Sequence, residues 1–229
     1  MNALSKQARL CAVAVISLLG ITSSSPAQAW KEVIKKEGVT IWQKKIEGSP
    51  FVAFRGQVVV DASIKKVMAV LNDQDHKTEW MKQCVANYVL EFKKLGTLVI
   101  YNRTGSPFPL VADRDIVVET NLSFDRETGI IDIHAVNTTH PNGKVLDGVI
   151  RMKQMKLHWA LKYLDKTKTL VTYEVQTDPG GWIPAWVVNL VTKAIPFHTL
   201  QGLQSQVKKP YEKSLAYVEA SFDWSTVGL

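Results

Sequence analysis

The sequence predicts an α+β domain in which a strongly curved antiparallel sheet is closed by a long C-terminal helix over an apolar cavity. Three observations lead there. Strand patterns with turn residues between them fill the middle of the chain. Two short helical segments interrupt them early, between residues 61 and 82. After the last strand, Asp178-Pro179-Gly180-Gly181 opens into an apolar helix that includes Trp182, Ile183, Trp186, Val187, Leu190 and Val191. A curved sheet has to cover its concave face, and this helix is the available cover. A curved sheet and a straight helix do not meet flush, which leaves room for a cavity.

Residues 1–29 read as a secretory signal peptide. Lys6 and Arg9 precede the apolar run Leu10 to Ile21, and small and polar residues follow, ending Ala27-Gln28-Ala29. The run is too short for a comfortable transmembrane helix, and Cys11 lies ahead of the run's main body, not after it as a lipidated cysteine would. The expected product is one exported domain, residues 30–229. Of the 28 basic residues, 26 remain after the two in the leader are set aside, against 21 acidic ones, a net of +5. That charge suits transient contact with anionic membrane surfaces. No basic run with interleaved aromatics points to nucleic acid. Cys84 is then the one cysteine left, so the domain has to rely on its core and not on an internal disulfide.

Trp30 to Glu37 reads as a short helix stopped by Gly38. Val39 to Ile46 and Phe51 to Val60 alternate as two strands joined at Gly48-Ser49-Pro50. Asp61 or Ser63 caps a helix whose Ile64, Val67, Met68 and Leu71 share one face. A second short helix over 72–82 carries Trp80. Strands follow around Tyr88 to Phe92 and Thr97 to Arg103. The loop Gly105 to Leu110 is apolar, and its two prolines exclude a central strand.

Asp113 to Phe124 is a strand in which Arg114, Ile116, Val118, Thr120, Leu122 and Phe124 share a face. Arg114 therefore falls in line with the apolar side. Either it meets a partner or ligand inside, because an unpaired buried charge is very costly, or it curls out to solvent at the strand end. Asp113 and Asp115 take the other face. We read this charged cluster as ion pairs holding the corner, with a general-base role as the alternative. Further strands span Gly129 to Thr138, Val145 to Leu164 as one long bent strand, and Leu170 to Thr177. Pro196 should kink or end the last helix. Leu200, Leu203 and Val207, then Tyr211, Leu215 and Val218, continue a helical pattern beyond it.

Catalytic signatures are absent: the chain has no G-x-S-x-G, H-E-x-x-H, P-loop, C-x-x-C or G-x-G-x-x-G. His134 and His140 are separated by a strand end and a turn, poor spacing for a metal. His158 falls on the polar side of its strand and His198 reads as a surface residue. No metal, cofactor or enzymatic activity is expected.

The stretch D-P-G-G-W-I-P followed by W-V-V-N resembles the entry to the C-terminal helix of START domains, the lipid-transfer modules related to the steroidogenic acute regulatory protein. Trp80 in an early helix, Asp113-Arg114-Asp115-Ile116-Val117 and the order of elements extend the resemblance over nearly the whole mature chain. It implies a helix-grip fold and a hydrophobic ligand, most simply a lipid, carried between membranes by a monomer. The alternatives are a cyclase- or hydrolase-type enzyme on the same fold and a binding module of the cell envelope that does not transfer its ligand. Arg114 and Thr120 are the candidates for a polar headgroup, and Trp80, Trp182, Ile183, Trp186, Val187 and Leu190 for its apolar part. Gly180 and Gly181 would form a hinge, with Phe108 and Leu110 on the opposite lip. Sterol carriers of the family commonly show an arginine where this chain has Thr120, which argues against sterol recognition there. A carrier between membranes points to the periplasm, with secretion as the other destination.

Overall fold

The structure is a computed structural model that describes residues 29–94, 96–183 and 185–227, without the side chains of residues 94 and 185–192. The leader up to residue 28, Pro184, and the side chains of Trp186, Val187 and Leu190 lie outside the described residues.

The chain opens with β1 (Lys31–Lys36), β2 (Val39–Lys45) and β3 (Val52–Val60), continues through α1 (Ile64–Asn72) and α2 (Lys77–Trp80), and enters β4 (Cys84–Lys94), β5 (Thr97–Thr104), β6 (Asp113–Asp125) and β7 (Ile130–Asn137). Then come β8 (Val149–Arg151), β9 (Gln154–Asp165), β10 (Lys168–Asp178), α3 (Ala185–Gln206) and α4 (Glu212–Ser221). The strands form one curved sheet in the order β1-β2-β3-β10-β9-β7-β6-β5-β4, with β8 paired to β6. Every pairing is antiparallel except the short β6–β8 one.

The expected helix over 30–37 is instead a strand. Lys36 pairs with Val39, so the connection is the two residues Glu37 and Gly38, both in left-handed backbone with φ of 53° and 75°. Two consecutive positive φ values make the turn that follows the twist of a hairpin, and it fixes KEVIKK as the partner of β2. The long strand expected over 145–164 is two. At the break, the Met152 N–H donates to the Asp115 carbonyl of β6 (2.9 Å) and the Lys153 N–H to the Asp178 carbonyl of β10 (3.0 Å). The chain thus changes partners at this corner.

The helices follow the apolar pattern. Ser63 caps α1 by accepting a hydrogen bond from the Lys66 N–H (3.3 Å), and the face of Ile64, Val67, Met68 and Leu71 is buried. α4 packs on α1 and buries Val218. α3 runs 22 residues, about 33 Å at 1.5 Å per residue, and packs on β2, β3, β10 and α2. It continues through Pro196, so the proline does not end the helix. The proline forfeits one ladder hydrogen bond, but its ring is buried and the next two turns are anchored by Phe197, Leu200 and Leu203, the last two fully buried. Burial of each such leucine contributes about 1.5–3 kcal/mol. Gly202 permits a backbone contact with α2, since a Cβ there would lie 2.1 Å from the Trp80 carbonyl oxygen.

Candidate ligand cavity

Two adjoining cavities lie against the concave face of the sheet. The outer one has a volume of about 170 Å³ and is walled by β3, β10, the 105–112 loop and the α3 residues Ile195, Pro196 and Thr199. The inner one, about 120 Å³, lies against α1, the first turn of α2, and strands β4 to β7 and β9. Met81, Asn102 and Met155 line both, so these three side chains form the partition. Two of them are methionines, whose flexible thioethers repack easily.

The start of β6 places three charges in sequence, and strand alternation sorts them. Asp113 faces away from the cavity. It accepts from Arg103 Nε (2.7 Å) and from the Ser106 N–H (2.9 Å), and that backbone donor, reinforced by the guanidinium, holds its carboxyl below the usual carboxylate range. Asp115 is fully buried and accepts from Arg151 Nε (2.6 Å) and Nη2 (3.2 Å). Arg151 Nη2 also donates to the Gly143 carbonyl (2.8 Å), and the bond to Asp115 raises the arginine's pKa. Burial, with Asp115 beside it, pushes the Tyr101 phenol up to about 12. These aspartates are corner pieces with arginine partners, as the ion-pair reading expects.

Arg114 points the other way, into the outer cavity, and is 7% exposed. Its Nη1 donates to the Ala112 carbonyl (2.5 Å), but its Nε is buried without a partner. Burial pulls the guanidinium pKa down, opposed by Asp113. A second buried polar atom of the same wall, Gln83 Oε1, also has no partner, and Gln83 stands in left-handed backbone with φ of 62°. Cys84 in this wall is buried, which raises its thiol pKa and suits a structural role.

The inner cavity has its own cation. Lys77 Nζ donates to the carbonyls of Leu71 (2.6 Å) and Val70 (3.4 Å), the last turn of α1, and burial brings its pKa down to about 7. A polar seam joins the chambers: Gln74 accepts from Asn87 Nδ2 (3.0 Å), and Asn87 Oδ1 accepts from Asn102 Nδ2 (3.1 Å).

The other candidates divide. Ile183 lines the outer cavity. Thr120 lines the inner one, away from Arg114, and its hydroxyl exchanges hydrogen bonds with the backbone of Leu98 (3.2 and 3.4 Å). Trp80 is in neither wall; it packs edge-on against Trp159 in the core at 6.4 Å, and Trp159 lines the inner chamber. Trp182 is 83% exposed and Leu110 fully so, each next in sequence to a residue that lines the outer cavity, Ile183 and Val111, whereas Phe108 is half-buried. Gly180 and Gly181 have φ of 63° and 61°, values that glycine adopts without strain. Sequence reasoning missed Gln83, Lys77 and the methionine partition, because nothing local marks a glutamine, a lysine or a methionine as facing a cavity.

The pattern of the START domain matches residues 10–213. The chain belongs to the START-domain family. A relative from Pseudomonas aeruginosa, of uncharacterised function, is 28% identical over 198 residues, covering 86% of this chain and 96% of the relative. The phosphatidylcholine transfer protein of Rattus norvegicus is 28% identical over 168 residues, covering 72% of this START-family chain and 77% of the rat protein. Among solved structures, a fragment of a STAR-related lipid transfer protein from Xanthomonas axonopodis superposes with a TM-score of 0.70 at 29% identity, over 79% of this chain and 99% of that one. Human StAR-related lipid transfer protein 5 superposes with a TM-score of 0.72 at 21% identity, over 81% and 88%, and supports the helix-grip fold.

Proposed function

We propose that this START-family protein binds a lipid between its sheet and α3 and carries it between membranes. The observation that carries the reading is Arg114: a nearly fully buried arginine in the cavity wall, with its Nε unsatisfied. An orphan donor of this kind costs about 1–3 kcal/mol or more, a cost that an anionic headgroup oxygen would remove. Gln83 Oε1 asks for the opposite, a hydrogen-bond donor. The ligand class that satisfies both has an anionic oxygen and an N–H or O–H in its head. The START relatives whose names specify phosphatidylcholine transfer support a phospholipid, although the quaternary ammonium of choline has no N–H to offer Gln83.

Each cavity alone is smaller than the roughly 300–1,000 Å³ typical of small-molecule sites. Swinging Met81 and Met155 aside would join them into one tunnel, with the head at Arg114 and a chain directed inward. Burying about sixteen methylenes is worth roughly 13 kcal/mol relative to water. Exchange between a bilayer and such a tunnel is therefore near neutral, while escape into water is costly. Gly180 and Gly181 would hinge the start of α3. Trp182 and Leu110, with Phe108 behind, would touch the membrane, and Trp186, Val187 and Leu190 with Ile183 would close over the chain. Export to the periplasm on removal of residues 1–29, and action as a monomer, complete the reading.

An enzymatic reading finds less to work with. The described walls of both cavities contain no histidine and no carboxylate, and residues 184–192, Pro-Ala-Trp-Val-Val-Asn-Leu-Val-Thr, have none to add. The test is mass spectrometry of organic extracts from protein purified without detergent. A stoichiometric lipid in the wild type, and about tenfold less of it in Arg114→Met, is the expected result. An empty wild-type extract, or equal lipid in the variant, would sink the carrier reading or the role of Arg114 respectively.

A further inference from the structure

The face of the sheet turned away from the cavity carries a second cluster. On β7, Ile131, Ile133 and Ala135 point inward, and Asp132 and His134 point outward. On β9, Leu157 and Trp159 point inward, and His158 points outward. Register puts His134 directly opposite His158. Their rings stack at 4.2 Å between centroids and 6° between planes. His158 Nε2 lies 2.6 Å from Asp132 Oδ1. One ligand atom from each of the three residues lies within 4.8 Å of those of the other two.

We propose that Asp132, His134 and His158 bind a divalent transition metal, best matched by Zn²⁺. Two imidazoles and one carboxylate are a ligand set that zinc accepts, with a fourth, open position left for water. Imidazole also discriminates against Mg²⁺ and Ca²⁺, which prefer oxygen. In a tetrahedral zinc site the ligand atoms stand about 3.3 Å apart, given metal–ligand distances near 2.0–2.1 Å. To reach that spacing the three side chains, which are exposed or only partly buried, would have to turn about their own bonds. The outer cross-strand neighbours of the two histidines are polar: Asn121 of β6 lies opposite His134, and Glu174 of β10 lies opposite His158, held by Arg55 at 2.6 Å. The carboxylate of Glu174 adds negative charge at the rim, offset by its arginine.

A metal here would clip β7 to β9 from behind. The same two strands present Ile133, Ala135, Leu157 and Trp159 to the inner cavity on their other face. The site is thus a stiffener of the cavity wall built from residues that never touch the ligand, and it stands independently of the lipid reading.

The experiment is titration of the purified, untagged chain with ZnCl₂ followed by calorimetry, alongside thermal melts with zinc and with chelator. The expected result is one equivalent bound, and a rise in Tm of roughly 5–10 °C at a free zinc concentration 100 times the Kd. His134→Ala and His158→Ala should each weaken binding at least about thirtyfold, and Asp132→Asn about tenfold. Melts in chelator matching the wild type would show that the variants are folded. Co²⁺ should give a tetrahedral absorption band that the double histidine variant loses. Wild type that takes up no zinc, or a double variant that binds as wild type does, would overturn the assignment.

Discussion

The inner and outer ends of the cavity each bury a cation, and they treat it differently. At the inner end Lys77 is held by two carbonyls of α1 and lies over the Trp80 ring at 4.8 Å. Here α3 also touches α2 backbone to backbone at Gly202. At the outer end Arg114 has one carbonyl and an orphan Nε, the backbone turns through Gly180 and Gly181, and Trp182 stands in solvent. A lysine hydrogen-bonded to helix carbonyls and a close backbone contact make an anchor. An unsatisfied cation in a cavity wall makes a place for something else to bind. The same charge has a structural part at one end and a ligand-facing part at the other, and the difference lies in the partners supplied.

The contrast breaks most severely at Gly202. A methyl group 2.1 Å from the Trp80 carbonyl oxygen cannot be absorbed by a side-chain rotation, because the atom it meets is backbone. Gly202→Ala should therefore force α3 away from α2 and cost about 3 kcal/mol or more, at the upper end of overpacking effects. Urea unfolding checks it. A midpoint within error of the wild type would show that the two helices are not locked together at this point.

Lys77 provides the next effect, with a defined sign. Its folded pKa of about 7 lies below that of an unfolded lysine, because burial disfavours the charged form. Between those two values the unfolded chain binds the extra proton, so raising the pH favours the fold. Below about pH 7 the penalty is fully present. The stability of the wild type relative to Lys77→Met should rise from pH 7 to 9 by about 1.4 kcal/mol per unit at most. Urea series at each pH give the difference. A difference that is flat with pH would mean that Lys77 stays charged in the fold, its ammonium sustained by the helix carbonyls.

How far this contrast could be read from the residues depends on the distance over which each feature is set. The parity of β6 is local, and it puts Arg114 on the face opposite the two aspartates; it left open whether the guanidinium turns inward or curls out to solvent, and the structure buries it. The cap at Ser63, the apolar face of α1 and the long C-terminal helix are local as well. β1 was missed because Glu37 is a non-glycine residue in left-handed backbone, and E-G is a weaker turn signal than N-G or D-G. The break between β8 and β9 was hidden because Asp115 and Asp178, far off in sequence, supply the carbonyls that divide them. Lys77 gives no sign of burial in its own neighbours, since its partners belong to the end of another helix. His134 and His158 meet only through strand register, so spacing along the chain had nothing to say about them.

The smallest effect on stability, and the one that sharpens the contrast at the outer end, belongs to Trp182. Its ring is 83% exposed, so removing it forfeits almost no packing, and Trp182→Ala should change unfolding stability by less than about 0.5 kcal/mol. Its cost should appear on membranes instead. An exposed indole beside an apolar mouth can settle at the headgroup level, where tryptophan is favoured, and the net positive chain adds attraction to anionic lipid. Vesicles containing phosphatidylserine should bind the variant several-fold more weakly, and lipid exchange between vesicles should slow in proportion. Lys77→Met, changed in the other cavity, should leave vesicle binding as it is. If Trp182→Ala destabilises the fold yet binds vesicles normally, the residue serves packing and the mouth meets the membrane through other groups. If both variants weaken vesicle binding alike, the two ends are coupled, and the division between anchor and mouth fails.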